Sequence, residues 1–134
     1  MPIDYVIDHA RRRVVAEGRG TVTSDEVFRY QHDVWSRADL AGYDEMVDMS
    51  SAERVAGDSR ESIRSLADLS ARMDSAGGAC RFAIVAPQEA IFGLSRMYET
   101  YRALDQRSTK RVGVFRDRAE ALAWLDSTEG AQEQ

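Results

Sequence analysis

In the segment MVDMSSAERVAGDSRES, Asp58 and Ser59 stand where a polar stretch gives way to a helical pattern. A hydroxyl at a helix N-terminus can do two things. It can cap the helix by accepting a bond from a free backbone N–H. It can also carry a regulatory phosphate, which the free N–H groups and the helix dipole would stabilise and which Arg60 or Arg64 could pair with. Glu61 lies three residues past Asp58, the spacing of a capping partner, and its charge would repel a phosphate, which favours the cap. Ser50 and Ser51 are expected to close a strand, and Pro87 and Gln88 follow another. Strand ends in open α/β sheets border the crevice where ligands bind. Ser50, Ser51, Asp58, Ser59, Pro87 and Gln88 are therefore the regulatory or ligand candidates, expected along one rim, with plain loop residues as the alternative.

Other chemistries find little support. His9 and His32 are the two histidines, and neither has a second histidine or Cys80 at metal-ligand spacing, so no metal and no other cofactor is expected. A single cysteine forms no intramolecular disulfide, and Cys80 opens an apolar run where a thiol is inert packing. Ser95 in GLSRM lacks the second glycine of a nucleophile elbow and lies within a helical pattern. Gly18 and Gly20 approximate part of a dinucleotide-binding loop, but Thr23 replaces the third glycine, and a turn is the simpler reading. Met97, Tyr98 and Tyr101 could line a lipid pocket, although aromatic side chains at helical spacing read first as core. No catalytic centre emerges.

Composition narrows the class further. The 134 residues suit one domain, and 43% hydrophobic with 31% charged residues is the balance of a folded globular chain. The net charge of −5 and the lack of a long basic tract argue against nucleic-acid binding. Arg11, Arg12 and Arg13 form one basic cluster, expected in a solvated turn. Charges interrupt the N-terminal segment where a signal peptide needs its apolar centre, and FAIVA is far too short to span a bilayer. No membrane insertion and a cytoplasmic location are the expectations.

The elements that would position these residues follow from periodicity and punctuation. IDYVIDHA and RRVVAEGRG read as an antiparallel hairpin. Thr23 and Glu26 have capping-box spacing, Val22 and Val27 flank them as a staple, and a helix should run to about residue 38. YDEMVDMS reads as a third strand, followed by a loop and a helix over about 58 to 76, with Ile63, Leu66, Ala67, Ser70 and Met73 on one stripe and Gly77-Gly78 as its stop. CRFAIVA suits a central strand buried on both faces. Pro87 suits the first turn of the next helix, where Gly93 suggests close packing. RVGVF is a fifth strand, and Asp117 with Glu120 begins a last helix whose core face includes Leu122 and Leu125 beside Trp124. Order β-β-α-β-α-β-α-β-α implies an α/β domain over 1–126. Its five-stranded sheet should be mostly parallel with an antiparallel edge strand, and residues 127–134 should form a polar tail.

Three stretches, VDMS (47–50), RFAIVAPQEAIFGLSRMYETYRA (81–103) and VGVFRDRAEALAWL (112–125), resemble the SpoIIAA-like family of STAS and CRAL-TRIO-like small α/β domains. The resemblance implies a non-enzymatic regulatory or protein-interaction domain. It also implies that Asp58-Ser59 matches by position the regulatory Asp-Ser pair of STAS domains, although Arg60-Glu61 replace the usual following glycine and the preceding loop is longer. The CRAL-TRIO-like side of the resemblance implies the alternative, a small-ligand module for a lipid or a nucleotide. A protein partner and a homodimer are both compatible, with Trp35 or Tyr101 as candidate exposed anchors.

Overall fold

A computed structural model describes residues 3–57, 59–74 and 80–127. Asp58, the Gly77-Gly78 stop and all of the tail beyond Ser127 lie outside the described residues. The first two strands, β1 (Ile3–Asp8) and β2 (Arg13–Thr23), form the expected antiparallel hairpin. Its turn is not wholly solvated: Arg12 takes a positive φ of 53° and is exposed with Arg11, but Arg13 is buried and reaches Asp126 at 2.6 Å. Helix α1 (Ser24–Trp35) begins on the predicted capping box, with Thr23 and Glu26 bonding reciprocally, and Val22 and Val27 share one apolar cluster. It stops at Trp35 because Ser36 closes it, its N–H donating to the carbonyls of His32 and Val34. A separate 3-10 turn holds Ala38–Leu40.

Strand β3 (Asp44–Ala56) is much longer than the sequence suggested. The polar stretch after Ser50, expected as a loop, continues as strand because β2 runs beside it in parallel to Thr23↔Ala56, with register shifts on either side of Arg19 and Gly20. Ser50 and Ser51 therefore lie inside β3, and Gly18 and Gly20 lie inside β2 in neither a turn nor a phosphate loop. Gly18 is closely packed: a Cβ there would meet the Met49 sulfur at 2.6 Å and Val22 Cγ2 at 3.2 Å, so the flexible Met49 side chain would have to shift. Gly57 ends β3 with a φ of +75°, a conformation that glycine adopts without strain.

Helix α2 (Arg60–Met73), β4 (Cys80–Val85), α3 (Glu89–Leu104), β5 (Lys110–Phe115) and α4 (Arg118–Asp126) complete the chain. β4 is buried at every position, as its apolar run requires. Pro87 does not enter α3: it precedes the N-cap residue Gln88, and the helix starts at Glu89. Gly93 faces open space, so close packing does not explain it. Asp117 caps α4 by accepting from the N–H of Ala119.

The sheet order is β1-β2-β3-β4-β5, antiparallel only at the β1 edge. Each parallel crossover steps in the same direction, so right-handed connections put α1, α2 and α3 on one face. α4 returns to the other face, where Ala121 and Leu125 pack on Met46, Ala83 and Val85. No helix among the described residues is long and apolar enough to cross a membrane.

Candidate functional site

Alternation along β3 sends Glu45, Val47 and Met49 toward the three-helix face, and Met46 and Asp48 toward α4. Over the first set α2 packs chiefly on α3 and α1. Its buried positions are Ala67, Ser70 and Ala71. Beside them, under Ile63 and Leu66, lies a chamber of about 120 Å³. Val47, Met49, Phe82 and Ile84 form its floor, Ile63 and Leu66 its roof, and side chains of α1 and α3 its walls.

Glu45 marks one end of this chamber. It is 2% exposed, yet three donors satisfy it. Tyr30 Oη donates to Oε2 at 2.8 Å, Trp35 Nε1 to the same oxygen at 3.0 Å, and Lys110 Nζ to Oε1 at 3.0 Å. Lys110 also stands 3.1 Å from the centre of the Trp35 ring. Burial, reinforced by the Glu45 charge, pushes the Tyr30 phenol well above its ordinary range and keeps it a donor. Trp35 is thus half-buried, with its indole N–H committed to Glu45. Nearby, Gln31 Oε1 accepts from Ser70 Oγ at 2.9 Å, and Gln31 Nε2 meets the Met73 sulfur at 3.9 Å. At the end of α2, Asp74 accepts from Arg102 Nη2 at 2.6 Å, while Arg102 Nη1 donates to Tyr98 Oη at 2.5 Å. These bonds tie α2 to α1 and α3 and engage the polar groups around the chamber, the Gln31 amide nitrogen only weakly, against a thioether.

At the C-terminal ends of the strands, β4 stops pairing at Asp48↔Val85 while β3 continues. The exposed flank of β3 is met by the Gln88 side chain. Its Nε2 lies 3.1 Å from the carbonyl oxygen of Met49, 3.2 Å from that of Ser50 and 2.6 Å from that of Ala52. Asp48 accepts from the Ser50 N–H at 2.9 Å and from Arg118 at 2.8 Å. Burial alone would raise its carboxyl, but the Ser50 and Arg118 hydrogen bonds outweigh burial and hold it below the usual carboxylate value. Gln88 and Ser50 are thus brought together, with Pro87 adjacent and exposed. Ser51 is exposed on the same strand. Ser59 caps α2, its Oγ accepting from the Ser62 N–H at 3.1 Å, and among the described residues its side-chain bonds go to Ser62 alone. Ser95 donates to the Ile91 carbonyl within α3, and burial pushes the Cys80 thiol up to about 11. Among the described residues, no group of three or more His, Cys, Asp or Glu side chains is arranged to hold a metal ion.

Among solved structures, the chain matches the crystal structure of an uncharacterized protein of the DUF3478 family, with a SpoIIAA-like fold, from Shewanella loihica PV-4. The TM-score is 0.58 over 92% of this chain and 93% of that one, at 16% identity. The fold is SpoIIAA-like. No family model matches the chain, and no curated protein matches it. The SpoIIAA-like fold agrees with the one that VDMS, the β4–α3 stretch and the β5–α4 stretch suggested.

Within the SpoIIAA-like frame, the sequence pointed to Ser59 and the rim candidates and passed over Glu45. Asp44-Glu45 at the start of a strand looks like a solvated charged pair, and Lys110 is 65 positions away. The available signal was Tyr98 at helical spacing, since it does line the chamber, together with Leu94 and Ile91.

Proposed function

We propose that this chain is a non-enzymatic binding domain that holds a small apolar molecule beneath α2. The chamber carries this reading. Its walls are hydrocarbon, and its buried carboxylate is already matched by Lys110, Tyr30 and Trp35, so it offers apolar contact and no idle reacting group. An engineered apolar cavity of about 150 Å³ stays dry and takes up benzene, and the chamber, at about 120 Å³, is of similar but smaller size, which makes benzene the suitable probe. The test is titration with benzene followed in 1H–15N correlation spectra. Saturable shifts at the amides of Val47, Phe82 and Ile84 support the reading, and their absence overturns it.

A regulatory reading, in which a protein partner docks near the start of α2, draws support from a different observation. Ser59 is an exposed cap followed by the exposed Arg60 and Arg64, a hydroxyl that a partner or a modifying enzyme can reach. A partner captured by the full chain and lost on Ser59→Asp supports it. Capture unaffected by that substitution counts against it.

A further inference from the structure

If the chamber holds a small ligand, as proposed above, its own chemistry narrows the guest. Size comes first. At about 120 Å³ the space is close to that of the benzene-binding cavity and somewhat below it, so the guest is at most a single compact ring, and a long acyl chain exceeds it. Charge comes second. Lys110 is bound to Glu45, and Arg102 to Asp74 and Tyr98, so an anionic guest would be stripped of water with no counter-charge to meet it. A cationic guest would find Glu45 already holding three donors.

One polar group lining the chamber is left under-used. Gln31 is 7% exposed, and its Oε1 is engaged by Ser70. Its amide nitrogen carries two N–H donors, yet among the described residues its one partner is the Met73 sulfur at 3.9 Å, and a thioether is a weak acceptor. A buried amide donor left so poorly matched favours any guest that offers it an oxygen. A lone water is a poor solution, because buried waters need two to four polar partners and the other polar groups here are committed.

We infer that the chamber binds a compact, uncharged single-ring molecule bearing one hydrogen-bond acceptor, with Gln31 Nε2 as the group that reads the acceptor. Acetophenone and isopropylbenzene make a matched pair of probes, alike in shape and differing in the carbonyl. Benzoate adds charge, and decanoate adds charge and length. Affinities are read from chamber-residue shifts in wild type, Gln31→Leu and Ser70→Ala, with Gln31→Met replacing Gln31→Leu if the latter does not fold.

One net hydrogen bond corresponds to roughly a threefold to tenfold change in affinity. Loss of the Gln31 amide should weaken acetophenone by that factor and leave isopropylbenzene within about twofold, a split that general destabilisation does not produce. Ser70→Ala should preserve the preference for the ketone, and benzoate and decanoate should bind more weakly than either neutral ring. Equal weakening of both neutral probes, no effect on either, or tighter binding of decanoate overturns the inference. If isopropylbenzene binds but the ketone gains nothing from Gln31, the acceptor assignment fails and the apolar chamber stands. If no neutral ring binds, both fail.

Discussion

Lys110 Nζ lies 3.0 Å from Glu45 Oε1, and the two side chains are only 8% and 2% exposed. The pair joins the start of β5 to the start of β3 across the intervening β4, and Trp35 covers it from α1. Burial of two charges is tolerated because each compensates the other and the remaining carboxylate oxygen is bonded to Tyr30 and Trp35. Removal of one partner leaves the other buried and unpaired. Lys110→Met should therefore cost about 3–5 kcal/mol in urea unfolding. The double variant Lys110→Met/Glu45→Gln should recover much of that loss, because the amide oxygen still accepts from Tyr30 and Trp35. Additive losses in the double variant would show that the two groups do not act as a pair.

The side-chain amide of Gln88 substitutes for a missing neighbour strand. β3 runs past the end of β4, and the carbonyls of Met49, Ser50 and Ala52 converge on one nitrogen. Gln88→Ala leaves these oxygens without that donor and should cost about 1–3 kcal/mol. Native-state hydrogen exchange should quicken first at the amides of β3 beyond Asp48. Unchanged exchange there would mean that β2 alone holds the extension.

Asp48, bonded to the Ser50 N–H and to Arg118, gives the fold a pH dependence whose direction is fixed. Its folded-state carboxyl lies below the ordinary value of about 3.9. The stability it contributes is fully present above that value and is lost as pH falls from there through the folded value. Arg118→Met removes one of the two stabilising partners and leaves burial less opposed, so the Asp48 carboxyl should titrate at higher pH and acid unfolding should begin earlier. Carboxyl NMR titration of both proteins checks this, and an unchanged Asp48 midpoint would contradict it.

Ser59 tests the cap directly. Ser59→Ala should cost about 1 kcal/mol, and Ser59→Asp should stay within a few tenths of wild type because aspartate caps equally well. A Ser59→Ala protein as stable as wild type in denaturant unfolding would remove the structural role and leave regulation as the reason for a serine there.

Local signals were legible in the sequence, and relationships between distant segments were not. The Thr23–Glu26 box, the Asp117 cap and the apolar run of β4 each depend on a few adjacent residues, and each is found where the sequence puts it. The extension of β3 was hidden because SSAERV is polar: that part of the strand borders β2 and has no β4 beside it, so half of it faces water and carries no apolar alternation. The role of Gln88 depends on two strands ending at different heights, which no local pattern encodes. The chamber was hidden for a related reason. Ile63 and Leu66 look like ordinary core residues of an amphipathic helix, and only the packing of α2 on α1 and α3 makes them the roof of a space above the sheet. Ser50 and Ser51 were expected at a strand end and lie inside β3 because the register with β2 carries the strand onward.

The most direct measurement of the central claim is a set of intermolecular NOEs from benzene protons to the methyl groups of the saturated protein. A guest beneath α2 must touch roof and floor at once, so cross-peaks should appear to Ile63 and Leu66 on α2 and to Val47 and Ile84 on the sheet. Cross-peaks confined to surface methyls such as Val6 and Leu104, or none at saturating benzene, would contradict a binding chamber at this place.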